Sequence, residues 1–295
     1  MKYILLFLLI TINSYAYDAF IKPSELEKNL KSETLIILDV NSESDYDKSH
    51  IIGALHVDIS KLKPSKYKQK RKTLEEVLSN RWTQKYFAEL GISNNSDIVI
   101  YARSSETDQL HASYLAMVLI LSGFENVSIL DGGYMGWIFK YNRLVSTEEH
   151  EAEEDGTYKI NVNPDILVDT KYLENNLYNA QIIDSRDTPY YFGTKKLLKN
   201  EGFGHIPTAK SSYYKDKFLD DLTLRADIEL EDIYILGLSL DREKEIIVYG
   251  QTILDASMNW YILYKKLDYK KVKIYRNGFK EWDEKGLHTT MFSWE

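Results

Sequence analysis

The chain has 295 residues and contains no cysteine. This absence excludes disulfide bonds, a thiolate nucleophile, a persulfide carrier and any metal site built on cysteine. The sequence also lacks a basic block, since 37 Lys and Arg residues stand against 45 Asp and Glu residues, for a net charge of -8. Because a net acidic surface repels nucleic acid, we exclude nucleic acid as a partner.

The motifs of several common catalytic sites are missing as well. The six histidines are scattered, and no two have the i,i+4 spacing of a helical metal site. The sequence has no Walker loop, no Gly-x-Ser-x-Gly turn and no glycine-rich dinucleotide fingerprint. We therefore predict no cofactor and no metal.

One apolar run, residues 3–12, stands at the N-terminus behind Lys2. It is too short to cross a bilayer of about 30 Å, and the small residues Ser14 and Ala16 occupy the positions that a signal peptidase inspects. We predict a signal peptide over residues 1–16 and a periplasmic or secreted protein with no membrane attachment after cleavage. An uncleaved anchor is the alternative.

Two halves of the sequence repeat the same features in the same order, and 295 residues fit two domains. Asp39 and Asp184 are 145 residues apart, and so are Trp137 and Trp282. Six features are paired: strand ends at Asp39 and Asp184, histidine segments 49–54 and 204–209, apolar runs 98–101 and 246–249, helical stretches 111–121 and 256–267, apolar runs 127–130 and 272–275, and tryptophans Trp137 and Trp282.

Short β-branched runs that alternate with helical stretches indicate a parallel sheet covered on both faces. The sequence therefore predicts an α/β fold that occurs twice, each time as a mainly parallel sheet with helices on both faces. We assign residues 17–146 to the first domain, 147–163 to a linker and 164–295 to the second domain. The linker begins in an acidic, apolar-poor stretch, which we interpret as a solvated segment without a binding role.

Together these features resemble the tandem rhodanese family, the thiosulfate and 3-mercaptopyruvate sulfurtransferases, over nearly the whole chain. Residues 204–209 are similar to the family's Gly-His-Ile-Pro-Gly-Ala segment. Any one of these motifs alone is weak evidence for the family, but the whole set is specific. The other carriers of the resemblance are the strand ends Asp39 and Asp184, residues 49–54, Asp131-Gly132-Gly133 with Trp137, and Asn277-Gly278-Phe279 with Trp282.

The resemblance implies where the chemistry would lie. In the family, a strand of the second domain ends in Tyr followed by a catalytic Cys, which opens a six-residue loop before a helix. Backbone N–H groups and the helix dipole hold that sulfur as a thiolate, and an Arg holds the anionic donor. Here Tyr249 is followed by Gly250, so we predict no catalytic residue.

A ligand pocket is still possible at this position. Asp255 disfavours thiosulfate, because Coulomb repulsion between the two anions at about 5 Å costs roughly 1–3 kcal/mol. The apolar residues Ile253 and Leu254 before it also suit this polar anion poorly. Arg186 matches the family's donor-binding Arg, and it either retains an anion pocket or forms an ion pair. The possible pocket comprises Arg186, Gly250, Gln251, Thr252, Ile253, Leu254 and Asp255, with Ala256-Ser257 opening the helix.

The first domain has an equivalent loop that also lacks cysteine, and the resemblance implies a structural role for it. Its residues are Ala102, Arg103, Ser104, Ser105, Glu106 and Thr107. We expect His50 and His205 to order their loops, and Asp39 and Asp184 to accept backbone N–H bonds. The two paired tryptophans are expected in the core.

Three functions remain open. The first is a non-catalytic module that binds or scaffolds an unknown protein. The second is an enzyme with altered chemistry that uses Asp255 or a bound metal. The third is a protein of the thiosulfate sulfurtransferase class that handles a small anionic sulfur compound with atypical or residual activity. Whether the chain is an enzyme is left open by the sequence.

Overall fold

The computed structural model describes residues 17–64, 66–67, 70–71, 73–103, 106–141, 144–197 and 202–295. The predicted signal peptide, residues 1–16, lies outside the described residues. The strands are β1 Phe20–Ile21, β2 Leu35–Asp39, β3 His50–Ile51, β4 Ala54–His56, β5 Lys66–Tyr67, β6 Lys70–Arg71, β7 Asp97–Tyr101, β8 Val127–Leu130, β9 Val145–Ser146, β10 Leu167–Val168, β11 Gln181–Asp184, β12 Ala209–Ser211, β13 Ile246–Tyr249 and β14 Val272–Tyr275.

Helices alternate with these strands, and α9 and α10 each continue into a π-helical turn, at Ile233–Gly237 and Ile262–Lys266. Short 3-10 turns cover Ile59–Leu62, Pro164–Ile166 and Tyr214–Lys217. The α-helices are α1 Pro23–Asn29, α2 Glu43–Lys48, α3 Leu74–Leu78, α4 Arg81–Glu89, α5 Glu106–Leu121, α6 Gly133–Tyr141, α7 Thr170–Asn176, α8 Thr188–Phe192, α9 Asp227–Asp232, α10 Ile253–Tyr261 and α11 Gly278–Glu284.

Each half of the chain builds a five-stranded parallel sheet. The strand order is β1-β8-β7-β2-β4 in the first half and β10-β14-β13-β11-β12 in the second. The central strands β7 and β13 are buried along their whole length, as expected for strands covered on both faces. The predicted duplication of an α/β domain is therefore confirmed.

The two domains pack face to face through α5 and α10. Ten consecutive residues of α5, positions 112–121, are buried, because one side of this helix covers its own sheet and the other meets α10. Ser113 Oγ and Ser257 Oγ lie 2.7 Å apart in this contact. One apolar cluster continues through both domains, while Trp137 and Trp282 belong to separate clusters on the outer faces of the two sheets.

The predicted linker, residues 147–163, contains neither helix nor strand. Its acidic side chains are exposed, as expected for a solvated segment. Its second half packs on the first domain: Gly156 N donates to Ala88 O at 2.7 Å, and Tyr158 stacks on Phe124. Of the helices in the described residues, none combines the length and the apolar character needed to cross a bilayer.

Tyr261 joins the two domains through its hydroxyl group, which lies 2.7 Å from Ala19 O and 3.0 Å from Val127 O. Tyr261→Phe leaves these buried carbonyls without that donor, and we expect a loss of about 1–2 kcal/mol in the free energy of unfolding. Urea denaturation measures the loss. Tyr264→Phe, on a half-buried ring of the same helical segment, is the control. Equal effects of the two substitutions would contradict the role of the Tyr261 hydroxyl.

Candidate functional site

A buried carboxylate ends the second strand of each sheet, where the carboxyl ends of parallel strands meet. Asp184 accepts a hydrogen bond from the Tyr249 hydroxyl at 2.6 Å, and that hydroxyl accepts one from Ile206 N at 3.1 Å. Burial, with the nearby Asp184 charge, raises the pKa of Tyr249 well above its ordinary value, so its proton stays in place. This chain of bonds fixes the histidine segment to the end of the sheet.

The first domain repeats the same arrangement with its own residues. The Tyr101 hydroxyl donates to Asp39 at 2.6 Å and accepts from Ile51 N at 3.0 Å. Both aspartates also accept the backbone N–H two residues onward, from Asn41 at 2.8 Å and from Arg186 at 3.0 Å. The carboxylates therefore shape the following turn, as the sequence predicted.

The paired histidines order their loops. His205 Nδ1 lies 2.9 Å from Tyr191 O and its ring stacks on Tyr191 at 3.8 Å; His50 has the same relation to Tyr46, at 2.8 Å and 3.8 Å. Because a carbonyl oxygen only accepts, Nδ1 is the donor in both rings. Burial lowers the pKa of His205, which favours the neutral ring. This geometry agrees with the predicted structural role.

Arg186 forms the ion pair that the sequence left as one of two alternatives. Its Nη2 lies 2.6 Å from Asp184 Oδ2 and 2.7 Å from Gly204 O, and its guanidinium covers the Phe279 ring at 3.8 Å. The side chain is buried and its positive charge is offset by the carboxylate. Arg186 also lines a cavity of about 240 Å³, so it belongs to the candidate site in spite of its ion pair.

The first domain also has a guanidinium beside its histidine segment, but the residue that supplies it follows β7, whereas Arg186 follows β11. Asn41 stands where Arg186 would be expected, and Arg103 donates to Ser49 O at 2.8 Å and covers the Tyr134 ring at 4.4 Å. Sequence reasoning missed this exchange. The signal that could have revealed it is the Arg at position 103, opposite Gln251 in the second copy.

The loop after Tyr249 differs from the expected six residues. Helix α10 begins at Ile253, not at Ala256, and Thr252 is its N-cap. Asp255 Oδ2 accepts from Thr252 N at 2.8 Å and from Thr252 Oγ1 at 3.0 Å, which completes a capping box. Ile253, Leu254 and Asp255 therefore form the first helical turn, and the Thr-x-x-Asp spacing was the sequence signal for it.

Gly250 has no room for a side chain. A Cβ atom built on it would lie 2.4 Å from Asp255 Cβ and 2.9 Å from Ala256 N. The loop is also tied to α11, because Gly250 O accepts from Phe279 N at 2.8 Å. The residue that stands where the family has cysteine is thus enclosed by the start of α10.

The seven residues of the predicted pocket do not line one cavity. Thr252, Ile253 and Leu254 line a cleft of about 650 Å³ between the domains, and Gly250 lines neither this cleft nor the cavity beside Arg186. That second cavity, of about 240 Å³, is lined by Leu110, Ser185, Arg186, Asp187, Tyr190, Leu197, Tyr213, Tyr214, Gln251 and Asp255. We refer to it as the tyrosine cavity.

Three tyrosines and Asp187 were missed as candidate residues. Tyr213 and Tyr214 follow the carboxyl end of β12, and Asp187 directly follows Arg186, so the rule that ligands bind at the carboxyl ends of parallel strands could have identified these three residues. Tyr190 lies inside α8, where this rule does not apply. Burial and the charges of Asp187 and other nearby acids raise the pKa of Tyr213. Asp187 and Asp255 therefore contribute negative charge to this cavity.

The equivalent loop of the first domain borders a much smaller space, as far as its residues are described. Ala102 and Arg103 line a space of about 20 Å³, close to the volume that a single water needs. Ser104 and Ser105 lie outside the described residues, and Glu106 and Thr107 belong to α5, although their side chains are not described. In the described ranges, no group of three or more His, Asp and Glu residues is placed to hold a metal ion.

A buried lysine lies beneath the tyrosine cavity. Lys217 is 1% exposed, and its Nζ donates to Ser212 Oγ and Tyr213 O, each at 2.8 Å. Burial lowers the pKa of this ammonium group to about 7. Neither of these partners carries a charge, so the group loses hydration without gaining a carboxylate.

The lowered pKa of Lys217 makes the free energy of unfolding depend on pH. Between the lowered pKa and the ordinary value near 10.5, the unfolded chain binds more protons at Lys217, so the unfolding free energy rises with pH. From pH 7 to about 9, where tyrosines stay protonated, we expect a slope of up to about 1.4 kcal/mol per pH unit. Lys217→Met should remove this slope and the exposed Lys270→Met should retain it. An unchanged slope in Lys217→Met would contradict the assignment.

Comparison with known proteins gives a consistent result. The family described as "Rhodanese-like domain" matches residues 22–140 and 169–285. A thiosulfate sulfurtransferase of Pseudomonas aeruginosa is 28% identical over 270 residues, which cover 89% of this chain and 93% of that protein. The sulfur carrier protein TtuD of Thermus thermophilus is 24% identical over 288 residues, covering 91% and 95%.

Solved structures share the fold at lower identity. The anaerobic ergothioneine biosynthesis enzyme of Chlorobium limicola superposes with a TM-score of 0.75 at 22% identity, over 94% of this chain and 71% of that one. YnjE superposes with a TM-score of 0.76 at 19% identity, over 93% and 68%. At this identity the similarity concerns the fold alone.

Proposed function

Because this chain belongs to the rhodanese-like domain family, with one such domain in each half, we propose that it is a ligand-binding protein without persulfide chemistry. A sulfur-transferring rhodanese needs a nucleophile that carries the sulfur between donor and acceptor. The chain has no cysteine to serve as that nucleophile. The fold is kept, while the sulfur-carrying step has no side chain to perform it.

The enclosed position of Gly250 is the observation that carries this proposal. Not only is the sulfur missing, but the space beside Gly250 is filled by Asp255 Cβ and by the backbone of α10. The Asp255 carboxylate occupies the Thr252 amide that an anionic group at the helix start would use. The missing nucleophile and the closed loop therefore both oppose persulfide chemistry at this position.

A second candidate is a sulfurtransferase-class protein with atypical or residual activity on a sulfur compound. The names of relatives and the position of Arg186 in the wall of the tyrosine cavity favour it. Against it, Asp187 and Asp255 place negative charge in the same wall, where an anionic donor would be repelled. An activity assay separates the two candidates.

We expect the purified chain to show no cyanide-dependent turnover of thiosulfate above the blank. Gly250→Cys should also stay at the blank and lose about 1–3 kcal/mol of stability, because the new side chain overpacks the loop. Gly250→Ala should lose a similar amount. Gly237→Ala is the matched control, since its nearest neighbour atom is 3.8 Å away.

Two results would contradict the proposal and its structural explanation. Thiosulfate turnover by the unaltered chain would show that a sulfur atom is transferred without cysteine. A Gly250→Cys variant that turns over thiosulfate at full stability would show that the loop accommodates a nucleophile after all.

Export is a further part of the proposal. Its support is the apolar run at residues 3–12 behind Lys2, followed by the small residues Ser14 and Ala16 at the positions that a signal peptidase inspects. Edman sequencing of the periplasmic or secreted protein should begin at Tyr17. Ala16→Trp should block cleavage, because signal peptidase requires a small residue there. An exported chain that still begins at Met1 would contradict the prediction.

A further inference from the structure

The tyrosine cavity has a wall that suits a positive ligand. Arg186 is the one basic residue in its lining, and the charge of Arg186 is already offset by Asp184, 2.6 Å away. Asp187 and Asp255 are also in the lining, and neither takes part in an ion pair among the described residues. The wall therefore carries an excess of negative charge.

The Asp187 carboxylate is not used by its own helix. Asp187 occupies the N-cap of α8, a position where aspartate commonly accepts a backbone N–H, but its side chain makes no such bond. It lines the cavity instead. Asp255 differs, because its Oδ2 is engaged by Thr252 in the cap of α10. Asp187 is thus the carboxylate whose charge the surrounding backbone leaves uncompensated.

Aromatic faces supply the second element. Tyr190, Tyr213 and Tyr214 line the same cavity, and the Tyr213 and Tyr214 rings meet edge to face, with centroids 5.1 Å apart and planes at 74°. Lys215 lies outside the lining, with its Nζ 5.8 Å from the centre of the Tyr213 ring. Tyrosine rings at right angles, with a carboxylate beside them, form the type of enclosure that holds alkylated ammonium groups by cation–π attraction.

We infer that the tyrosine cavity binds a small organic cation with an alkylated ammonium group, which contacts Tyr190, Tyr213 and Tyr214 and faces Asp187. The volume of about 240 Å³ is just below the range of roughly 300–1,000 Å³ typical of small-molecule sites, so a compact ligand fits. Leu110, from the first domain, closes one side of the cavity. The inference rests on the proposed binding function and specifies its ligand class.

Calorimetric titration of the purified full chain with choline and tetramethylammonium, at matched chloride concentration, tests the inference. We expect saturable binding of both cations within about 50 mM, a range that includes weak sites. The uncharged analogue of choline, with a tert-butyl group in place of trimethylammonium, has the same shape and should bind at least about threefold more weakly, since it lacks the cation–π term. Sodium thiosulfate should not saturate.

Variants place the binding in this cavity. Tyr213→Leu should weaken choline binding about three- to thirtyfold. This range corresponds to the loss of one cation–π contact, from the weak contacts at exposed sites to the stronger ones at desolvated sites. Asp187→Asn should also weaken it, while Asp216→Asn, an exposed acid close to Tyr213 but outside the lining, should not. Circular dichroism of each variant confirms that it is folded.

The outcomes separate this inference from the proposed function. Absence of saturable cation binding, equal binding of the uncharged analogue, or equal effects of Asp187→Asn and Asp216→Asn would overturn the organic-cation site and leave the lack of sulfur transfer untouched. Saturable thiosulfate binding that Asp187→Asn strengthens would assign the cavity to anions and also overturn it. Thiosulfate turnover would overturn the proposed function whatever the titrations show.

Discussion

The Asp184 carboxylate positions most of what surrounds the candidate site. It accepts from the Tyr249 hydroxyl on the neighbouring strand, from the Arg186 guanidinium and from the Arg186 backbone, and it is fully buried. Breaking a buried ion pair by removing one partner typically costs about 3–5 kcal/mol, because the remaining charge is left unpaired. Arg186 in turn holds the histidine segment through Gly204 O. The loops at this end of the sheet are thus oriented from a single charged group.

A helix N-terminus offers its free amides to one occupant at a time. In a sulfur-transferring rhodanese the occupant is the sulfur and its anionic donor. Here the occupant is internal, because Asp255 caps Thr252 and brings the first turn of α10 against Gly250. The same electrostatics that stabilise an anionic intermediate thus stabilise a helix cap. This internal cap explains how the start of α10 stays satisfied without an external anion.

The two domains share one core through α5 and α10, so neither is an independent unit at this contact. The tyrosine cavity depends on the contact, since Leu110 of α5 contributes to its wall. Duplication supplies both sheets, but the two strand ends have diverged: one takes its guanidinium from Arg186 and the other from Arg103. A cavity of about 240 Å³ lies beside Arg186, whereas the space that Arg103 lines has a volume of about 20 Å³.

Local signals in the sequence determined the α/β class, the duplication, the paired Asp, His and Trp positions and the absence of a sulfur nucleophile. These depend on residue type and on spacing along the chain, which the sequence contains in full. The Thr252-to-Asp255 capping box also encoded locally where the loop after Tyr249 ends. We assumed the family's six-residue loop instead and so placed the start of the helix too late. Tertiary structure alone decided that six of the seven predicted pocket residues divide between two cavities while Gly250 lines neither, and that Tyr190, Tyr213 and Asp187 share one wall. Those residues come from separate segments, and only the packing of sheet, loops and neighbouring domain brings them together.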